Sequence, residues 1–556
     1  MTYFDITTVG QSPDSSSRYV EVIGTFDPTR DEHAVSLHHS RGACNAIAAR
    51  RSFHHASAIL EKGPVRVIQR MNLNSGSPTA AIHELSYRRR VGILAICSMS
   101  LLIVGLDVTI MNVALPSIGH DLHASISGLQ WSIDAYTLVL ASLLMLSGST
   151  ADRFGRRRTF VIGLSTFVVG SLICSIAPNL GLLVVARMLQ AVGGSMLNPV
   201  AMSIITNAFT VPRERAQAIG VWAAVLGVSM ALGPVIGGLL VTSNGWRSIF
   251  WINIPVGLAA IVLSLRFIPE SRAPRARRVD LVGQFLVVAL LSSLTYGIIE
   301  APNRGWLSTI IISSFALALL SLIGLLIYEP RRHEPLIDLR FFRSVPFTSA
   351  TVIAISSFAA LGGFLFLNTL YLQDVRGLSP LQAGLDTLPM AVMSMLLPPI
   401  SGHIVGRRGS RGPLVVAGAA FLVSCLMLVR LSPSTHFSWL FTSYVIFGIG
   451  FGLVNPPITT AAVSGMPRAQ AGVAAGIASS SRQVGQTLGV AIVGALVTST
   501  VGARAGLGFA QASRAGWWTL AGFGALVLLL GAFSTSKLAL SSAERTARAM
   551  NPEALA

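Results

Sequence analysis

Charge is the scarcest commodity in this sequence. Only 12% of its 556 residues are Asp, Glu, Lys or Arg, about half the share found in soluble domains. Lysine is nearly missing, with Lys62 and Lys537 alone. So few charges cannot coat a water-facing surface, and a mean hydropathy of +0.65 agrees that much of the chain faces lipid. Cysteine is sparse too: Cys44, Cys97, Cys174 and Cys425 are scattered, without the spacing of a disulfide framework or a metal site. They read as core fillers. The histidines are not spaced for a metal either, and no metal or other cofactor is expected. No Walker loop occurs, so ATP is not the expected energy source, and no motif of an enzyme survives inspection. The opening "MTYFDITTVG" is neither basic nor apolar enough for a secretory signal.

What is present is 52% hydrophobic residues and 52 glycines, a composition suited to helices packed closely in a membrane. A crossing helix needs about 20 apolar residues. Runs of that kind recur fourteen times, from 89–112 and 129–149 to 473–498 and 516–534, with 281–300 and 306–328 as the seventh and eighth. The net charge of +18 raises the question of nucleic acid, and its placement answers it. Basic residues crowd every second loop: "YRRR" (87–90), "DRFGRRR" (152–158), "PRER" (212–215), "SRAPRARR" (271–278), "PRRH" (330–333) and "GRRGSRG" (406–412). The alternate loops, such as "APNLG" and "TSNGW", are poor in them. This is the positive-inside pattern of a multi-pass protein with both termini in the cytoplasm. The arginine bias fits a GC-rich bacterium, hence a bacterial inner (plasma) membrane.

The chain also repeats. "GGSMLNP" (193–199) returns as "GFGLVNP" (450–456), and "GSTADRFGRRR" (148–158) as the worn copy "GHIVGRRGSRG" (402–412). Gly220, Gly233 and Gly238 find counterparts in Gly476, Gly489 and Gly494 at a nearly constant offset. Spans one to six therefore match nine to fourteen, and seven and eight are an insert. The expected fold class is an all-α integral membrane protein: fourteen transmembrane helices, two pseudo-symmetric six-helix bundles and two inserted helices. The expected parts are an unstructured cytoplasmic tail (1–85, the alternative being a start codon set too early, with Met71 as the natural start), an N-terminal bundle (86–268), a linker with the inserted helices (269–330), a C-terminal bundle (331–535) and a cytoplasmic tail (536–556). A transporter made of two such halves is expected to hold its substrate between them near the midplane.

Taken together, these motifs resemble the major facilitator superfamily, and within it the fourteen-helix drug:proton antiporters of the EmrB/QacA type, over about residues 86–535. The loop "GSTADRFGRRR" resembles the superfamily's signature loop. The resemblance implies a conformational latch of Gly148, Asp152, Arg153, Gly155 and Arg156, with Asp152 facing a helix N-terminus of the other half or pairing with an arginine. "GVSMALGPVIGGLL" (227–240) is similar to the family's antiporter motif. Gly233-Pro234 bends the helix, and Gly227, Gly237 and Gly238 allow close packing. The family associates this element with export. In "ARMLQAVGGSMLNP" (186–199), Arg187, Gln190, Gly194 and Asn198 share one helix face. The resemblance gives Arg187 a part in proton coupling, with a structural role as the alternative.

Two acids lie inside spans. Asp107 sits in "LDVTIMNVALP", where the family carries its span-one acid, and Asp134 in "LQWSIDAYTLVLA". An Asp at mid-bilayer costs roughly 2.5–3.5 kcal/mol on insertion scales, and binding a proton relieves part of that cost. Proton coupling is assigned to Asp107, Asp134 and Arg187. Expected substrate contacts are Asp134, Trp131 one turn before it, Asn112, Gln190, Asn198, Arg482 and Gln486. Two carboxylates and an aromatic ring suit a lipophilic cation. Glu300 is expected to cap an interface, and Asp386 to end a helix. The reading is a monomeric, proton-driven exporter of amphipathic, cationic compounds, whose partners are a small-molecule substrate, protons and lipid. Export of one endogenous metabolite, proton-coupled import and a non-transporting sensor or scaffold remain as alternatives.

Overall fold

The structure, a computed structural model, describes residues 5–11, 18–23, 86–273, 279–332, 334–464, 471–501 and 508–550. Met71, Cys44, part of the basic stretch 271–278 and the last six residues lie outside the described residues. The leading segment, expected to be unstructured, carries two strands, β1 (Asp5–Gln11) and β2 (Arg18–Ile23), paired antiparallel. Both are rich in β-branched residues, which favour a pleated backbone.

From Ser86 onward the chain is one helical unit. Its long helices are α1 (Tyr87–Asp121), α2 (Ile126–Phe154), α3 (Arg156–Ser175), α4 (Leu180–Ala208), α5 (Pro212–Asn244), α6 (Ser248–Phe267), α7 (Leu281–Arg304) and α8 (Thr309–Tyr328). They continue with α9 (Val345–Leu370), α10 (Leu388–Arg408), α11 (Arg411–Leu428), α12 (Phe437–Val463), α13 (Ala471–Val501) and α14 (Phe509–Phe533). Among the described residues thirteen of these are long and apolar enough to cross a membrane. The 31-residue α13 stands in the place of the expected thirteenth span. Local chemistry sets the ends. Ser125, Asn179 and Asp280 cap α2, α4 and α7 by accepting from backbone N–H groups. Gly155, Gly245, Gly305 and Gly409 stop α2, α5, α7 and α10 at positive φ, a conformation costly for other residues.

Helices α1–α6 pack as one bundle and α9–α14 as a second. They meet along two seams, α2 against α13, and α5 against α10 and the short helix Pro380–Asp386. The inserted α7 lies against both α2 and α13, while α8 packs mainly on α7. The segment after α14, expected as a tail, forms α15 (Lys537–Met550) on α9. Ala539, Ser542, Ala543 and Thr546, at helical spacing, are its buried face, and Ser542 Oγ accepts from Val345 N at 2.9 Å. Asp386 ends the short helix, as its position in the sequence suggests.

Candidate transport site

The first buried acid is fully enclosed in hydrogen bonds. Asp107 Oδ2 accepts from Arg187 at 2.5 Å, and its Oδ1 accepts from Gln190 Nε2 at 2.8 Å and Asn253 Nδ2 at 3.1 Å. Ser171 Oγ receives the same two amides at 2.8 and 3.3 Å. Arg187 also donates to the Gln190 side chain and to the Ser132 carbonyl, and its guanidinium lies 4.3 Å from the centre of the Tyr136 ring. Five side chains from α1, α3, α4 and α6 thus share one knot, all of it inside the N-terminal bundle. The one-face spacing of Arg187 and Gln190 is what delivers both to Asp107. Sequence reading missed Ser171 and Asn253. Asn253 does carry a signal, being an amide within the apolar run "IFWINIPVG".

Asp134 is the opposite case. It is 0% exposed, and neither carboxylate oxygen has a hydrogen-bond partner. One turn before it on α2, Gln130 Nε2 donates across the seam to the Val490 and Ala491 carbonyls at 3.0 and 2.9 Å. One turn after it, Thr137 accepts from Thr487 of α13 at 2.8 Å. The acid therefore sits between two side chains, Gln130 and Thr137, whose bonds hold the bundles together. Gly494 gives Gln130 room, since a Cβ there would collide with the amide. Among the described residues the remaining polar links between the bundles are Gln373 Nε2 to the Val113 carbonyl (2.9 Å) and His120 with Asp374 (3.6 Å). All of these lie toward the end of the molecule opposite the basic loops. Among the described residues no hydrogen bond or ion pair joins the bundles at the basic end.

The antiporter-like helix contributes to the same closure. Gly233 and Gly237 receive Thr109 and Ile110 of α1, Gly238 receives Pro380 and Leu381, and the Pro234 carbonyl packs on Gly384. Gly227 is in ordinary contact with Met395. In the signature loop, Asp152 pairs with Arg156 at 2.8 Å, the second of the two arrangements expected. Gly148 has open space where close packing was expected, and the Arg153 guanidinium lies 5.8 Å from the Phe154 ring. Gly155 instead serves Glu270, whose carboxylate fills the place of a side chain and accepts from the Arg157 and Arg158 N–H groups at the start of α3. Here the loop is braced inside its own bundle.

The expected substrate contacts divide. Trp131 turns to α7: its Nε1 donates to Glu300 at 2.9 Å, and its ring lies 6.1 Å from Tyr296. Glu300 also pairs with Arg304, so it fastens an interface as expected. Asn112 Nδ2 is spent on the Val108 carbonyl of its own helix. Asn198 keeps a buried Oδ1 without a partner. Gln486 packs on Gly362 of α9, where the missing side chain makes room for it. Arg482 donates to Thr459 Oγ1 at 2.7 Å and to Ser479 Oγ at 3.4 Å. The residues assigned to one site from sequence thus scatter: Gln190 joins the Asp107 knot, Asp134 lies at the α2–α13 seam, Trp131 joins the α7 interface, and Asn112, Asn198, Arg482 and Gln486 join none of the three.

Two lobes of membrane helices, one holding a buried ion pair and the two enclosing a sealed acid at their seam, form the architecture of a multi-pass membrane transporter. The chain belongs to the major facilitator superfamily, whose family pattern matches residues 97–490. It is 36% identical over 408 residues to multidrug resistance protein Stp of Mycobacterium tuberculosis, covering 73% of this chain and 75% of the relative. It is 38% identical over 407 residues to the tetracenomycin C resistance and export protein of Streptomyces glaucescens (73% and 75%). It is 32% identical over 439 residues to the methylenomycin A resistance protein of Bacillus subtilis (79% and 93%). A solved peptide transporter POT in complex with sulfate shares the fold, with a TM-score of 0.60 at 16% identity over 82% of this chain and 95% of that one.

Proposed function

We propose that the protein is a proton-driven antiporter that exports amphipathic drugs or toxic compounds from the cytoplasm of a bacterium by alternating access. The lobes 86–268 and 331–535 rock about their seams, with both termini and the basic loops in the cytoplasm. One observation carries the proton assignment: Asp134 is wholly buried, unpaired, and sealed by bonds that break when the lobes part. A lone carboxylate there is costly, and a bound proton removes its charge. Opening the far end exposes the acid to the outside and its proton supply; closing that end carries the loaded acid inward. Asp107 and Arg187 form the framework around which α1 and α4 are held, and take part in coupling through that pair. Preference for cations rests on Asp134, the acid left without a partner.

The test is antiport in everted vesicles, read by a pH-sensitive dye while a panel of drugs is added. Wild-type protein dissipates the proton gradient on drug addition, and Asp134→Asn does not. Undiminished proton release by that variant would overturn the assignment. A second reading, export of one endogenous metabolite, is favoured by the two relatives named for single antibiotics. A panel in which one compound alone drives proton movement would establish it.

A further inference from the structure

Among the described residues Arg482 is a cation without an anion. It lies about one third of the way along α13, within the span, and no described carboxylate lies within ion-pair distance of it. Its two polar contacts are neutral hydroxyls, Thr459 Oγ1 at 2.7 Å and Ser479 Oγ at 3.4 Å, and its Nε is buried with no partner. The buried arginine of the N-terminal bundle is treated differently: Arg187 has Asp107 at 2.5 Å. Arg482 shares its stretch of helix with Ser479 and Gln483, whose Oε1 is also buried without a partner. The opposite face of that stretch (Ala474, Ile477, Ala478) packs in an apolar cluster with Phe347 and Ala350 of α9. The polar stripe and the apolar packing are thus segregated around α13.

A guanidinium inside a span is tolerated when it faces a partner or a water-filled space. It offers a planar fork of donors matched to an oxyanion. We propose that Arg482 is a substrate-recognition residue for amphipathic compounds bearing an acidic oxygen, such as a carboxylate or phenolate, with Thr459 holding the guanidinium in place until the substrate arrives. This rests on the export reading above and narrows it: Arg482 selects an anionic end at a place separate from Asp134.

The probe pair is 1-pyrenebutyrate and its methyl ester, which differ in charge but share the ring. Binding is measured to the full-length chain in nanodiscs of zwitterionic lipid, so that no anionic headgroup competes, and export is measured in everted vesicles. In the wild type the acid binds more tightly than the ester. Arg482→Gln weakens the acid by about tenfold or more, the loss expected for a charge-assisted hydrogen bond, and leaves the ester within about twofold. Arg482→Lys, which keeps the charge and guards against misfolding of the Gln variant, restores part of the acid's affinity. Equal losses for acid and ester, no loss for either, or a wild type that exports tetraphenylphosphonium but ignores the acid would each overturn the proposal while leaving export intact. A wild type that moves none of the three compounds against a proton gradient would instead overturn the export reading and the proposal with it.

Discussion

Asp107 and Asp134 are both buried in the same bundle, 27 residues apart by number, and they have opposite surroundings. Asp107 has three donors, one of them a guanidinium; Asp134 has none. The difference separates two uses of a carboxylate. A fully bonded ion pair fixes the relative positions of four helices and is expensive to disturb. An unbonded acid at a moving seam is free to change protonation without tearing a network. The family resemblance names the span-one acid as a proton site, whereas the geometry makes the span-two acid the less encumbered of the pair.

The sharpest way to break the comparison is Asp107→Leu. It strands Arg187, and losing one partner of a buried pair costs about 3–5 kcal/mol. Thermal unfolding in detergent should fall by many degrees, with drug resistance lost. A variant as stable as wild type would show that the knot is not structural. Asp134→Asn is expected to do the reverse: unchanged or slightly raised thermal stability, with proton-coupled drug export reduced at least about tenfold and its dependence on external pH flattened. Coupled export that survives this change would return the proton role to Asp107. Gln130→Ala removes two bonds across the seam, each worth about 1 kcal/mol net. The population open at the end opposite the basic loops should rise several-fold, measured by distances between spin labels on α2 and α13. The smallest effect is expected from Trp131→Phe, which removes only the N–H bond to Glu300. Resistance to cationic and neutral drugs should change by less than about twofold, as the loss of one part-buried hydrogen bond away from the seam predicts. A loss confined to cations would make Trp131 a substrate contact after all.

Much of the fold was legible because lipid imposes strict rules. Span length, the alternation of basic loops and the spaced glycines each follow from hydrocarbon thickness or close backbone approach. The pairing of Arg187 and Gln190 was legible for the same reason, since a three-residue spacing leaves little freedom in a helix. Facing was not legible. Trp131 lies three residues before Asp134, yet 60° of rotation is enough to turn it to the inserted helix while Gln130 and Thr137 face α13. Asn253 and Glu270 were missed because each acts on a helix far away in sequence. Glu270 caps α3 from the connection beyond α6, and no local pattern reveals a cap supplied from a distance. The closing helix α15 was hidden by its polarity, although its buried positions do recur at helical spacing.

The inserted helix α7 is bonded to α2 at three heights: Gln284 to the Ser142 carbonyl, Glu300 to Trp131, and Asn303 to Ser127. Among the described residues it makes no hydrogen bond to α13, which it only touches. It is therefore fastened to one lobe and only packed on the other, and it covers the α2–α13 seam. The α5–α10 seam has no such wall among the described residues. On the export reading proposed above, a lipophilic compound dissolved in the membrane would meet an unwalled seam, among the described residues, only between α5 and α10.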